Sequence, residues 1–223
     1  YNVVKKICIQ AGVVFFGSDA FNLYSRYMPN YLKNLKSKAA DFDIIAINPL
    51  KAVQYIKYEL KSLNILNVNY VKHAEVGEII PVHYELKIGK DTIAFIYEAK
   101  ACYSYNEIYS KKDKTNIKVA TIDTILSFYL SFLFSNRDYY DKKRLVCLAQ
   151  FLFVLQQKNR LKQVGLLKRF STSCYGEQET LERIRSHKTD MYNKLSKNKD
   201  KKEYDEWFLK YTPNSEKKTR KNR

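Results

Sequence analysis

Acidic residues are the scarce charge in this chain: 23 Asp and Glu stand against 40 Lys and Arg, a formal net charge of +17. Such an excess attracts polyanions, so nucleic acid or an anionic membrane surface leads the expected partners. Long apolar runs are missing as well. The most apolar stretch, Ile122 to Phe134, is interrupted by Asp123, Thr124 and two serines, and it falls short of the ~20 residues that cross a bilayer. A soluble protein with no membrane partner is expected. No charged and then apolar leader opens the chain. The 4 cysteines, Cys8, Cys102, Cys147 and Cys174, lie far apart without a CxxC pair, so reduced, intracellular thiols are the default. His73 and His83 have no partner at metal-ligand spacing and read as structural or surface residues. Glycine is rare, 6 residues against 19 Tyr and 12 Phe, and Lys greatly outnumbers Arg. An AT-rich coding sequence biases composition in this way, so Tyr and Lys counts alone are weak evidence of RNA binding. The chain opens on Tyr1 rather than Met, as a piece of a longer protein would.

What is present is globular: 223 residues, 45% hydrophobic and 28% charged, enough for one large domain or one domain with an appended lobe. GVVFF (12–16) followed by Gly17-Ser18 and by helical spacing from Ala20 to Met28 reads as strand, tight turn and helix. Asp41 to Ile47 begins in alternation and turns wholly apolar, as a mostly buried strand would. Asn48 and Pro49 read as N-cap and first position of a helix to about Leu63, with Val53, Ile56, Leu60 and Leu63 on one face. NVNYV, then EIIPVHYELKI, Gly89-Lys90 and DTIAFIY predict strands, the last two as a hairpin. Beyond it the pattern is helical: Thr121 to Phe134, Asp141 to Lys158 and Gln178 to Leu195. The sequence thus divides near residue 118 into an α/β part (1–118), a helical lobe with a basic surface (119–196) and a lysine-rich, partly disordered tail (197–223).

Chemistry concentrates at two points. Residues i and i+2 of a strand share a face, so Asp41 and Asp43 present adjacent carboxylates while Phe42 packs beneath. Hard divalent cations take such oxygen ligands together with substrate phosphates. Gly17-Ser18 offers backbone N–H groups and a hydroxyl at a helix N-terminus, where an anion is favoured. Downstream, Lys142, Lys143, Arg144, Lys158, Arg160, Lys162, Lys168 and Arg169 occur with no acid between Lys142 and Gly176. That run reads as a phosphate-binding surface for single-stranded RNA, with Tyr139, Tyr140, Phe170 and Tyr175 as nearby stacking platforms.

This order of strand, Gly-Ser, helix and Asp-apolar-Asp resembles the nucleotidyltransferase superfamily. More narrowly, GVVFFGS, DFDIIAINP, GEIIPVHYELKIGKDTIAFIY, ATIDTILSFYLSFLF, CLAQFLFVLQQKNRLKQVGLLKRFS and CYGEQETL resemble the poly(A) polymerase catalytic subunits of large nucleocytoplasmic DNA viruses. The likeness is to the mimivirus and asfarvirus type, with poxvirus enzymes as distant relatives, and covers most of residues 3–195, on the C-terminal part of a longer family chain. The resemblance implies an α/β (α+β) nucleotidyltransferase-like sheet with flanking helices, followed by an α-helical lobe. It further implies AMP transfer from ATP to an RNA 3′ end with Mg²⁺ or Mn²⁺, in the host cytoplasm (viral factory) or virion. Asp41 and Asp43 would be catalytic metal ligands, Gly17 and Ser18 would hold the triphosphate, and the basic run would hold RNA. The stretch from Ser18 to Asp41 is long for the superfamily. A third carboxylate is expected on a later strand, with Glu85 as the candidate and Asp91 and Glu98 flanking the returning arm. A homodimer or a missing N-terminal catalytic unit is an expected partner. The same fold used without catalysis, for RNA binding, processivity or dimerisation, is the alternative, and a basic RNA-binding protein with no nucleotide site is a third.

Overall fold

The computed structural model describes residues 1–35, 41–111, 113–135, 140–168, 171–199 and 201–208. Its elements follow as α1 (Asn2–Gln10), β1 (Val14–Phe16), α2 (Gly17–Tyr24), β2 (Phe42–Ala46), α3 (Pro49–Ser62) and β3 (Val68–His73). After these come β4 (His83–Ile88), β5 (Asp91–Glu98), β6 (Tyr103–Ser110), β7 (Thr115–Ala120), α4 (Ile122–Ser135) and α5 (Lys142–Lys158). The last are β8 (Cys174–Tyr175), α6 (Leu181–Leu195) and α7 (Lys202–Trp207).

Among the described residues, one mixed sheet of 8 strands runs in the order β3-β4-β5-β2-β1-β7-β6-β8. β1 lies antiparallel to β2 and parallel to β7, and β2 lies parallel to β5. β1 is wholly apolar, and β2 is apolar apart from Asp43, because helices cover both faces of the central strands. Phe15, Phe42 and Ile44 share one face, where Tyr1 stacks on Phe42 at 4.3 Å between centroids. Phe16 points to the other face and stacks on Phe128 of α4 at 4.3 Å.

The expected start of α3 is observed: Pro49 opens it and the Asn48 side chain accepts from the Lys51 N–H at 2.9 Å. Val53, Ile56 and Leu60 are fully buried against the sheet, each contributing roughly 1.5–3 kcal/mol. Gly89, at φ +62°, makes the β4–β5 hairpin turn. Strands β6 and β7 and helix α1 fall where no element is expected from the sequence. β6 (YSYNEIYS) carries few aliphatic residues, and its pairing with β7 supplies the order that its own composition does not.

The helices after residue 118 are built onto the sheet. α4 packs on β6 and β7, α5 packs on α4, and Phe151 of α5 meets Phe21 of α2 edge-on at 5.8 Å. β8 joins the edge of the sheet beside β6. Cys102 and Cys174 are joined as a disulfide across a sequence separation of 72, with Cα atoms 5.2 Å apart. The expectation of reduced thiols is corrected for this pair, because the β6–β8 ladder brings together residues that sequence spacing keeps far apart. Cys8 and Cys147 remain free. Within the lysine-rich end, α7 seats the buried Trp207 edge-on against His187 at 5.1 Å. Residues 209–223 lie outside the described residues. Among the described residues, no helix is long and apolar enough to cross a membrane.

Candidate active site

β1 and β2 pair Phe16 with Asp43, so the turn that leaves β1 and the carboxylate on β2 are adjacent despite the long connection between them. Gly17 begins α2 at φ +59°, and a Cβ built on it would land within 2.5 Å of the Asp43 Cβ and Cγ atoms. Glycine is therefore required twice over, for the left-handed backbone and for the close approach of the carboxylate. Ser18 closes the arrangement. Its backbone N–H donates to Asp43, and its Oγ donates to the Asp41 carbonyl at 3.3 Å.

These groups open into one cavity of about 510 Å³. Gly17, Ser18, Asp41 and Asp43 line one end of it, and Tyr129 and Phe132 of α4 with Arg144 and Leu148 of α5 form the wall opposite the sheet. Tyr140, stacked on Phe132 at 4.7 Å, and Asp141 stand between the two helices. Asp141 also caps α5, accepting from the Arg144 N–H at 3.0 Å.

Burial and then the charge of Asp41 push the Asp43 carboxyl up to about 7, against the opposing pull of the Ser18 N–H and Arg144. The group is thus half-protonated near neutrality, and its ordinary value is 3.8. A raised folded-state value means that stability is greatest below the unfolded value and declines as pH rises from about 4 through 7. Asp43→Asn removes this dependence. Its melting temperature should exceed that of the wild type by several degrees at pH 8, with the gap narrowing toward pH 4. A gap that does not change with pH in thermal melts would contradict the assignment.

The register also locates the candidate third acid. Asp43 pairs with Phe95 of β5 and Phe95 with Glu85 of β4, so the three share one row and one face. The position beside Asp43 is held by a phenylalanine, and Glu85 stands one strand further out, about 10 Å from Asp43 along the backbone. Its carboxylate is engaged there by Thr92, Lys87 and His73. Asp91 is exposed at the start of β5, and neither it nor Glu98 lines the cavity. Among the described residues, no group of three or more His, Cys, Asp or Glu is placed to hold a metal ion.

Two histidines that spacing assigns to structure or surface also line the cavity. His83 lies between His73 at 4.9 Å and Tyr97 at 4.6 Å, all three rings stacked, and its Nδ1–H donates to the Pro81 carbonyl at 3.1 Å. Burial pushes His83 down to about 4, so it stays neutral at physiological pH. Only the pairing of β3, β4 and β5 brings these rings together.

The acid-free basic run is divided by the helix that carries it. Lys142, Lys143 and Arg144 sit in the first turn of α5, beside the cavity, whereas exposed Lys158, Arg160 and Lys162 lie at and beyond its far end. The two groups are separated by roughly 24 Å of helix. Lys168 is half-buried and close to β6, where Asn106 Nδ2 donates to its carbonyl at 3.3 Å. Arg169, Tyr139 and Phe170 lie outside the described residues. Tyr175 is distant from the cavity, lining instead a groove with Ile47, Lys51 and Tyr55.

The arrangement is thus a mixed eight-stranded sheet with flanking helices, in which a Gly-Ser turn lies against a carboxylate-bearing strand. Among solved structures, the fold is similar to the crystal structure of the Megavirus polyadenylate synthase, with a TM-score of 0.58 and 14% sequence identity. The match covers 82% of this chain and 39% of that one, so this chain spans well under half the length of its structural counterpart. No family model and no curated protein matches the sequence.

Proposed function

We propose that this chain is the nucleotide-binding unit of a viral polyadenylate-synthase-type protein, acting in transfer of AMP from ATP to an RNA 3′ end. In that reaction the 3′ hydroxyl oxygen bonds to the α-phosphorus of ATP, the bond from that phosphorus to the leaving pyrophosphate breaks, and the hydroxyl proton passes to solvent. The observation that carries the reading is the packing of Asp43 directly over Gly17, which sets a carboxylate, a helix N-terminus and Ser18 within one cavity. Gly17 and Ser18 would hold phosphate oxygens, and Arg144 would offset their charge from the opposite wall.

Asp41 and Asp43 fit a hard divalent cation. They are two neighbouring carboxylates, one of them raised in pKa by burial and by the charge of the other. Bound there, Mg²⁺ or Mn²⁺ would neutralise and orient the phosphates. The exposed Lys158, Arg160 and Lys162 would contact RNA backbone away from the cavity. The helices beyond residue 118 would then serve as the wall and RNA side of the unit, within a longer protein or a homodimer.

Phe95 favours a second reading. With an apolar ring in the row position beside Asp43, the unit would hold nucleotide or RNA without completing transfer. The test is incorporation of α-labelled ATP into an oligoadenylate by the 223-residue chain with Mg²⁺ or Mn²⁺. Incorporation by the wild type supports the first reading. ATP binding without incorporation, joined to a gain of transfer in Phe95→Asp, supports the second. Failure to bind ATP refutes the first reading, and failure to bind either ATP or the oligoadenylate refutes both.

A further inference from the structure

The far end of the cavity is built around one carboxylate. Glu85 Oε1 accepts from Thr92 Oγ1 at 2.5 Å and from Lys87 Nζ at 3.0 Å, and Oε2 accepts from His73 Nε2 at 3.0 Å. These three hydrogen bonds, with the charge of Lys87, outweigh a burial that acts in the other direction, and hold the Glu85 carboxyl below its ordinary value. Glu85 is therefore ionised and acceptor-only, so His73 carries its proton on Nε2.

The backbone is shaped to make this cluster. β5 pairs Ala94 with Leu86 and Thr92 with Lys87, which skips Ile93. In a regular strand Thr92, three residues from Phe95, would face away from it. The bulge turns Thr92 onto the cavity face, as bulges beside functional sites do.

A carboxylate offers about four acceptor positions, and three are taken, leaving one on Oε2. A divalent cation is a poor occupant for it, because Lys87 and His73 already stand on the same carboxylate. A hydroxyl donor is a good one. Phe95 supplies a flat apolar surface between Glu85 and Asp43, and the first donors met beyond the phosphates of a nucleotide are its ribose hydroxyls. Carboxylates read ribose hydroxyls in this way in dinucleotide-binding folds.

We propose that Glu85, fixed by Thr92, Lys87 and His73, is a ribose-reading residue that accepts a hydrogen bond from a sugar hydroxyl and so distinguishes ribonucleotide from deoxyribonucleotide. This rests on the reading of Gly17, Ser18, Asp41 and Asp43 as the phosphate end. The ribose belongs either to ATP or to the RNA terminus, and the experiment has an arm for each. Equilibrium binding with Mg²⁺ compares ATP with 2′-deoxy-ATP and 2′,3′-dideoxy-ATP, and oligoadenylate with the same oligomer ending in a deoxy residue. In one arm the wild type should prefer the ribose form by roughly tenfold or more, the worth of one hydrogen bond to a charged group. Glu85→Ala should bring that ratio near one. Thr92→Val, which keeps the carboxylate and frees one constraint on it, should lower the ratio without abolishing it. The ratio does not depend on the fraction of a variant that is folded. Ribose and deoxy forms binding equally in both arms, or a preference that survives in Glu85→Ala, would overturn the proposal while leaving the phosphate end intact. No binding of Mg²⁺–ATP to the wild type would overturn the phosphate end, and this proposal with it.

Discussion

Replacing Asp41 and Asp43 together by Ala is expected to lower Mg²⁺-dependent ATP binding by roughly a hundredfold or more and to abolish adenylyl transfer, while RNA binding changes little. On the proposed reading the two carboxylates would supply the oxygen ligands to the cation, and Glu85 would not replace them because its carboxylate is already engaged by Thr92, Lys87 and His73. On the same reading RNA binding should persist because Lys158, Arg160 and Lys162 are exposed at the other end of α5, where phosphate contacts would need no metal. The double variant should also fold well, since it removes a carboxyl group that burial and its neighbour's charge push up to about 7. Calorimetric titration of ATP with and without Mg²⁺ checks the binding, and a gel-extension assay checks the transfer. Mg²⁺-dependent binding equal to that of the wild type would remove the pair from the site.

Gly17→Ala is expected to be nearly as damaging, through geometry alone. The new methyl group would overlap the Asp43 side chain, and the backbone would have to keep φ +59° with a Cβ in place. The backbone term costs roughly 1–2 kcal/mol. The overlap has no cheap relief, because Asp43 is held between Phe16 and Phe95 on a central strand. Either Asp43 turns away from the cavity or β1 and β2 separate, and in both cases ATP binding should be lost. The cause can be isolated by a double-mutant cycle. In an Asp43→Gly background, which removes the Cβ as well as the carboxyl group, the same glycine substitution should cost only the backbone term, so the two effects on melting temperature should be strongly non-additive. Additive effects would mean that the contact between Gly17 and Asp43 is not what excludes a side chain.

The parts of this fold legible in the sequence are those whose signals are local. Asn48-Pro49 announces α3, Gly89 announces the β4–β5 turn, and the apolar runs around Phe16 and Ile44 announce strands covered on both faces. That Gly17-Ser18 and Asp41/Asp43 belong together was legible for the same reason, since each occupies a few consecutive residues, and the structure brings them to one end of one cavity. What the sequence does not carry is the transverse order of the sheet. That Phe95 stands beside Asp43, that Glu85 stands one row position further, and that His73, His83 and Tyr97 stack are facts of register, which no single strand encodes. The bulge at Ile93 is hidden likewise, because a skipped residue leaves the alternation of DTIAFIY almost intact. The basic run misleads in the opposite direction. Its residues are contiguous in sequence, and α5 carries them to two separate places.

The position of β1 and β2 at the middle of the eight-stranded order has a kinetic meaning. Edge strands such as β3 and β8 can fray and re-pair without disturbing the rest, whereas amides on the central ladder exchange with solvent only when most of the sheet opens. Gly17 and Asp43 are attached to that ladder at Phe16, so their end of the cavity belongs to the slowest-opening part of the molecule. The far end, on β3 and β4, borders an edge. A ligand spanning both would touch a rigid anchor at one end and a yielding strand at the other, and its arrival would be felt as slower exchange at His73 long before any change at Asp43.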